Sequence, residues 1–449
     1  MKAYFIRRLL LLPITLFGIT MIVFMITRIA PGGPMDQLLM QSAAEDGKKS
    51  NKSNNAGGLS DEDIEAQEED FGIDKSILHA YFQWLGFMPR EDYISKAEFK
   101  SSSGVVKLED GREKVTLVVK GENRIVEIIR NGDEISQANY KDNGEDVREN
   151  GWQVRLETPY DRKLRKEKRL DGQTIAESEF VHRAVVFRPK FSGVFQGDFR
   201  NSRKYQDPVM SMIGDKVPIS LYFGILTAMI TYGVCIPLGV LKAIKHKTFI
   251  DNTTSILIFV GYSIPGFALG AFLLSYLGID KQIFPTFGLI SPEYESLGFW
   301  ERVTNWEVMK DLFMHTVLPL VCYVIGGFAF TTMMMKNNLM DNLAADYVRT
   351  AMAKGVPFKK AVFGHAFRNS FIPIATGLGG LISIFVGGSM LIEKVFDIDG
   401  FGLLQYNAVL EKDNPVIMGT LAISAFLMLL GNILSDIIVA MIDPRIKFN

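Results

Sequence analysis

Cysteine is nearly missing from this chain, with Cys235 and Cys322 alone among 449 residues. Both lie inside apolar runs, so packing is their expected role and a disulfide framework is excluded. Net charge is scarce as well: 49 basic against 50 acidic side chains leave −1. A nucleic-acid binder needs a basic excess to neutralise phosphates, and that class falls away. Glycine shows no three-residue period, which removes collagen-like folds. The histidines, His79, His182, His246, His315 and His365, are scattered with no second ligand at metal spacing. G-x-S-x-G, a Walker lysine loop and H-E-x-x-H are all absent, so neither hydrolase nor ATPase chemistry is encoded. No repeat of solenoid period is found.

What is present is long apolar runs. A charge-free stretch of about 20 residues crosses a ~30 Å hydrocarbon layer as a helix. Six stretches qualify: Leu9–Thr27, Pro218–Leu241, Thr253–Leu277, Phe313–Met335, Phe371–Ile392 and Val416–Val439. The first follows Lys2, Arg7 and Arg8 but is too long for a signal h-region. No A-x-A site follows it; Ala30-Pro31-Gly32-Gly33-Pro34 is a turn, so the run reads as a retained helix. Lys and Arg then set the orientation. The N-terminus, the loops 242–250 and 336–369 and the tail hold fourteen basic residues, against five in the loops 278–312 and 393–415. Both termini are therefore expected in the cytoplasm and 31–217 outside.

This divides the chain into 1–30 (N-terminus and first helix), 31–217 (external) and 218–449 (helices two to six). Within the external segment, 41–70 is acidic and poor in large apolar groups, and is expected to stay flexible. Residues 71–86 read as a short amphipathic helix. Across 95–188, alternating runs such as Val115–Val119 and Ile125–Ile129 are separated by turn signals, including Asn131-Gly132-Asp133. That pattern predicts a small β-rich domain. The basic stretch Arg162–Arg169 is read as a solvated turn or strand edge in preference to an anion-binding patch.

Ionisable groups at the bilayer midplane mark proton and ion routes. The six spans carry none near their centres; Arg28, His315, Glu393 and Asp436 sit toward helix ends. A carrier driven by its own ion gradient is thereby disfavoured. Glycine, proline and serine cluster in spans three and five, where Ser263, Pro265, Gly266, Gly387, Gly388 and Ser389 suit helices that slide or line a path.

The loop 336–369 is the most informative segment. Asp341 is placed to cap a helix with interior Leu343–Lys354, whose Ala344, Tyr347, Val348 and Ala351 share a face. Gly355 is placed to end it in a left-handed cap, with Lys354 favourable against the helix dipole. Pro357 suits the first turn of a second helix that aligns Phe358, Val362 and Ala366. The result is a compact knob, read either as a hairpin on the lipid surface held by Lys359 and Lys360 or as a docking element for a soluble partner.

Arg349-Thr350-Ala351-x3-Gly355 resembles the coupling loop of ABC importer permeases, in the form typical of dipeptide and oligopeptide permeases. The likeness continues through YVRTAMAKGVPFKKAVFGHAFRNSFIPI, the first span, Leu391–Thr420 and the tail Asp443-Pro444-Arg445. APGGP, KNNLMDN and LIEKVFDIDGFG are most similar to Yej-type peptide permeases, associated with microcin C uptake. Two departures stand out. The 95–188 insertion separates the YFQWLG helix from Gly197-Asp198-Phe199, and Lys412-Asp413-Asn414-Pro415 replaces R-D-Y-P.

The resemblance implies an all-α polytopic membrane protein with six transmembrane helices of the type I ABC importer permease kind, interrupted by the β-rich insertion. It implies a non-enzymatic subunit of a peptide importer in the inner membrane of a bacterium. The implied partners are a second homologous permease, two cytoplasmic ATPase subunits or one fused ATPase, an external solute-binding protein and the lipid bilayer. This chain would hold no cofactor; ATP and Mg would be bound by the ATPases. The implied coupling residues are Asp346, Tyr347, Arg349, Thr350, Ala351, Lys354, Gly355, Pro357, His365 and Arg368. A membrane-anchored receptor with an external ligand domain and a secondary carrier are the alternatives.

Overall fold

The computed structural model describes residues 2–29, 64–66, 68–69, 72, 74–100, 105–108, 111–169, 174–377, 379–380 and 389–442. The chain folds as two units, Met1–Val23 with Asn201–Asn449 and Phe24–Arg200. It begins with the long apolar helix α1 (Lys2–Ile29), where the hydroxyls of Thr15 and Thr20 return to carbonyls one turn back.

In the Phe24–Arg200 unit, α2 (Ile77–Leu85) is opened by Ser76, whose hydroxyl accepts from the His79 N–H, and closed by left-handed Gly86. Its Tyr81 and Trp84 pack on Phe24. Seven strands follow among the described residues: β1 (Arg90–Glu98), β2 (Val106–Lys107), β3 (Glu113–Val119), β4 (Arg124–Asn131), β5 (Glu134–Tyr140), β6 (Gln153–Glu157) and, after α3 (Pro159–Arg169), β7 (Arg183–Lys190). They form two antiparallel sheets, ordered β1-β7-β6 and β2-β3-β4-β5. The alternation read from sequence sets the buried face: Val115, Leu117, Val119, Val126 and Ile128 enter one core with Trp152, Tyr140, Ala184 and Val186. Glu122 accepts from both Tyr140 Oη (2.9 Å) and Trp152 Nε1 (3.3 Å), satisfying the polar tips of buried rings. Gly132, at φ +61°, turns β4 into β5 as expected.

The basic stretch differs from its reading as a solvated turn or strand edge. It is the helix α3, and its Arg162 and Arg165 point at acids of the same chain. Arg162 pairs with Glu98 at 2.6 Å, and Arg165 reaches Glu69 at 3.0 Å and Glu157 at 3.2 Å. Arg183 grips Glu157 and Glu65, both at 2.6 Å, while Lys96 meets Glu69 at 2.9 Å. Of the acidic segment 41–70 that was expected to be flexible, 41–63 lies outside the described residues. Ile64 and Glu68 are buried and Glu65 and Glu69 are paired. Composition alone does not show this, because the arginines that compensate the segment, Arg165 and Arg183, lie about a hundred positions on in the chain.

The second unit holds the long helices: α4 (Val209–Ile244), α5 (Phe249–Tyr262), α6 (Gly266–Leu273, extended by a π-turn to Asp280) and α7 (Trp306–Ala344). After these come α8 (Asp346–Ala353), α9 (Phe358–Ala361), α10 (Phe367–Gly377), α11 (Met390–Phe396), α12 (Phe401–Leu410) and α13 (Asn414–Ile442). Among the described residues α1, α4, α7 and α13 are long and apolar enough to cross a membrane, and α5 with the α6 segment makes a fifth candidate bent by 87°. Two helices run past the expected spans Pro218–Leu241 and Phe313–Met335. At 1.5 Å per residue, α4 and α7 are about 54 and 58 Å long, well beyond a hydrocarbon layer. A charge halts a charge-free run but not a helix. The expected continuous span Thr253–Leu277 is broken instead, since Pro265 has no N–H to extend α5. Span Phe371–Ile392 is described as α10, residues 379–380 and the start of α11; 381–388 lies outside the described residues.

Helices α4 and α7 pack closely at Gly239, where a Cβ would fall 2.6 Å from Met335 Cβ and 2.8 Å from the Thr332 carbonyl oxygen. Replacing Gly239 by alanine should lower the thermal midpoint of the purified protein by several degrees, an overpacking cost of about 1–3 kcal/mol. Gly326→Ala, which meets nothing within 4 Å, should not. An equal response would show that close approach does not matter there.

Burial raises the Glu157 carboxyl, but Arg183, Arg165 and Arg155 outweigh it and hold the group down from 4.5 to about 2. A depressed folded value stabilises above the unfolded value and is lost as pH falls through the folded one. The β6–β7 region should therefore lose stability between pH 4.5 and about 2. Glu157→Gln should weaken it at neutral pH and flatten that dependence, read by hydrogen exchange at β6 and β7 corrected for chemical rate. An unchanged profile would contradict the ionic account.

Candidate functional site

The loop 336–369 begins inside α7, because nothing in Asn342–Ala345 breaks a helix before Ala345 turns extended (φ −72°, ψ 148°). Asp341 is thus an interior residue of α7 and not the cap expected of it; α8 starts at Asp346, whose carboxylate suits the positive end of the helix dipole. Tyr347 fixes the break. Its hydroxyl donates to Asn342 Oδ1 (2.7 Å) and accepts from Asn369 Nδ2 (3.1 Å), joining the end of α7, the first turn of α8 and the start of α10.

Helix α8 ends as the sequence indicates. Gly355 takes φ +90°, its N–H reaches the Met352 carbonyl (2.9 Å), and the Val356 N–H reaches the Ala351 carbonyl (3.2 Å). This paired closure needs a left-handed residue at position 355, and glycine adopts that conformation without a Cβ clash. Pro357 stands just outside α9 as its N-cap, one position before the expected first turn. A π-turn, Val362–Ala366, leads into α10.

The buried face is offset from the expected one. Val348 is buried and Ala351 and Met352 are half-buried, but Ala344 and Tyr347 face outward. Beyond Gly355, Ala361, Val362 and Ala366 are buried while Phe358 is half exposed. These inward residues share one core with Val240 and Ala243 of α4, Met335 and Leu339 of α7, and Ile374 of α10. Nine of the ten coupling candidates are exposed on the outer surface: Asp346, Tyr347, Arg349, Thr350, Lys354, Gly355, Pro357, His365 and Arg368; Ala351 is the half-buried one. Arg368 is committed within the chain, since its Nε and Nη2 donate to the Ile442 carbonyl at the end of α13, at 2.7 and 2.5 Å.

The second set of candidates converges elsewhere. Ser263 closes α5 and donates its hydroxyl to the Phe259 carbonyl at 2.8 Å; Pro265 and Gly266 start α6. A Cβ on Gly266 would lie 2.7 Å from the Cys322 carbonyl oxygen of α7. On the next residue, Tyr323 Oη accepts from the Ser389 N–H at 3.1 Å. The bend and Ser389 therefore meet at Cys322–Tyr323, while Gly387 and Gly388 lie outside the described residues.

Three groups have partners that the sequence reading did not assign. Glu393, 1 % exposed, accepts from Tyr323 Oη (3.1 Å) and the Leu403 N–H (2.7 Å). Asp413, also buried, accepts from Ser202 Oγ (2.6 Å) and the Arg203 N–H (3.1 Å). Asp251 lies between Lys242 of α4 (3.1 Å) and Lys336 of α7 (2.7 Å). Lys242, a loop cation by its place in 242–250, lies inside α4 and is fully buried. The available signal was Asp251 with Thr254 and Ser255 one turn on, a run of oxygens able to receive an ammonium group. Among the described residues no cluster of three or more His, Cys, Asp or Glu is placed to hold a metal ion.

Comparison with known proteins places this geometry. Residues 235–448, which include the knob and the bend, match a family described as binding-protein-dependent transport system inner membrane components. The inner membrane ABC transporter permease protein YejB of Escherichia coli O157:H7 is 36% identical over 315 residues, 68% of this chain and 84% of that protein. The peptidoglycan transport system permease protein YejB of Agrobacterium fabrum is 38% identical over 254 residues, 56% of this chain and 68% of that protein. The oligopeptide transport system permease protein AppB of Bacillus subtilis is 34% identical over 266 residues, 59% of this chain and 80% of that protein. Mostly helical, with several apolar helices and this likeness along most of its relatives' length, the chain belongs to the family of binding-protein-dependent transport system inner membrane components.

Proposed function

We propose that this chain is one permease subunit of an ATP-driven importer of peptides, oligopeptide or microcin-like, in the inner membrane of a bacterium. The observation that carries the coupling role is the knob of α8 and α9. It is rooted by a buried apolar core in α4 and α7, and it turns Arg349, Thr350 and Lys354 outward. An interfacial hairpin would set the apolar side of α8 against lipid. Here that side is spent on the chain's own core, with Val348 fully buried, which favours a protein partner for the polar outer face.

In this reading both termini and the knob are cytoplasmic and 31–217 is external. Six spans divide 1–30 and 218–449, the stretch 371–392 supplying the one beyond the five candidates. A second homologous permease completes the translocation path, to which this chain contributes Ser263, Pro265, Gly266, Gly387, Gly388 and Ser389. Two cytoplasmic ATPases, or one fused ATPase, bind ATP and Mg and receive the knob through Asp346, Tyr347, Arg349, Thr350, Ala351, Lys354, Gly355 and Pro357. His365 lies on the same exposed surface, and Arg368 acts by holding the base of the knob to α13. An external solute-binding protein delivers the peptide. Closure of the ATPases on nucleotide moves the knob as a rigid body and tilts the helices it roots in.

Gly355→Val tests this. A β-branched residue at φ +90° costs about 1–3 kcal/mol of local strain, enough to reshape the cap without unfolding the bundle. The variant should reach the membrane at normal levels, retain less ATPase on purification and lose most ATP-dependent peptide uptake. Unchanged uptake at normal expression would contradict the assignment.

A further inference from the structure

Helix α5 is attached to its unit in an unusual way. Its buried residues are Asp251 and Ile258, whereas Ile256, Leu257, Phe259 and Val260 are more than half exposed. Toward α7 it faces an apolar groove of about 520 Å³, lined by Leu257 and Gly261 on one side and Val317, Val321 and Ile325 on the other. Along this side it touches α7 closely at Gly261, where a Cβ would lie 3.1 Å from Ile325 Cδ1. At its first turn the hold is ionic.

The cluster at that turn has two separable halves. Lys242 of α4 donates to the Asp251 carbonyl (2.8 Å), Thr254 Oγ1 (2.8 Å) and Ser255 Oγ (2.7 Å), besides lying 3.1 Å from the Asp251 carboxylate. Lys336 of α7 depends on the carboxylate alone, donating to Oδ1 at 2.7 Å and Oδ2 at 2.8 Å. The Lys247 N–H at 3.0 Å and the His246 ring at 3.4 Å complete the surroundings of Asp251. Lys336 directly follows Met335 and lies one turn before Leu339, both in the core of the knob. At its other end α5 stops at Ser263, beside the bend that meets Cys322.

We infer that the Asp251–Lys336 ion pair is the joint that carries displacement of the knob into the broken helix α5–α6, making Asp251 and Lys336 positioning residues of transport. The inference rests on the coupling role proposed above. An ion pair shielded from water suits the task because separating its charges leaves each without a partner, which is opposed steeply. Asp251→Asn keeps the carbonyl and hydroxyl acceptors of Lys242 but takes the carboxylate from both lysines, whereas Lys336→Gln removes the link to α7 and leaves the Lys242–Asp251 contact in place.

The test uses the whole transporter in proteoliposomes with a labelled oligopeptide. Uptake, ATP hydrolysis and subunit recovery are measured on the same preparation. Asp251→Asn and Lys336→Gln should each lower peptide taken up per ATP hydrolysed by about tenfold, with hydrolysis and subunit recovery near wild type. Asp251→Glu, which keeps the charge, should recover most of the ratio. An unchanged ratio in both neutral variants overturns the joint, as does a fall in uptake that merely follows loss of assembled complex. Absence of ATP-dependent uptake in the wild-type assembly overturns the coupling role and the joint with it, whereas normal wild-type uptake with unaltered variants overturns the joint alone.

Discussion

The apolar core shared by the knob and the ends of α4 and α7 is the constraint on which the rest depends. Val348, Ala361, Val362 and Ala366 would be an ordinary amphipathic hairpin by themselves. Packed against Val240, Ala243, Met335 and Leu339, they fix a short helical element to two helices that are each long enough to run beyond a bilayer. Close-packed cores transmit displacement because they have little free volume to absorb it. The left-handed cap at Gly355 and the hydroxyl of Tyr347 keep the element short and set its angle.

Two kinds of ionic organisation accompany that core. In the Phe24–Arg200 unit, Glu157, Glu65 and Glu69 neutralise Arg165, Arg183 and Lys96 between strands, helix and an acidic segment, an arrangement that locks parts together. In the helical unit, Asp251 serves two lysines on different helices with one carboxylate. The first is redundant, with several partners for each charge. The second has a single link to α7, and a single link is what a joint requires.

Much of this was legible in the residues. The knob, its glycine stop, the alternation of β3 and β4 and the turn at Gly132 all follow from local chemistry acting over a few positions. What escaped notice depends on partners distant in the chain. Lys242 looks like a loop cation until α4 is seen to continue through it, and its neighbour Lys336 is 85 residues from Asp251. Glu393 looks like a helix-end carboxylate until Tyr323 and the turn at Leu403 enclose it. The stretch at Arg162 reads as solvated because Glu69 and Glu157 cannot be known to face it. Helices α4 and α7 outrun their apolar stretches for a related reason: they carry their hydrogen bonding past the charges that end such a run.

The central claim concerns what touches the outer face of α8. A photo-crosslinking side chain at Thr350, activated in intact membranes with the transporter assembled, reports that contact directly. Coupling through the knob predicts a covalent adduct with the ATP-hydrolysing subunit that changes in yield when nucleotide is added. Adducts with lipid alone would contradict it.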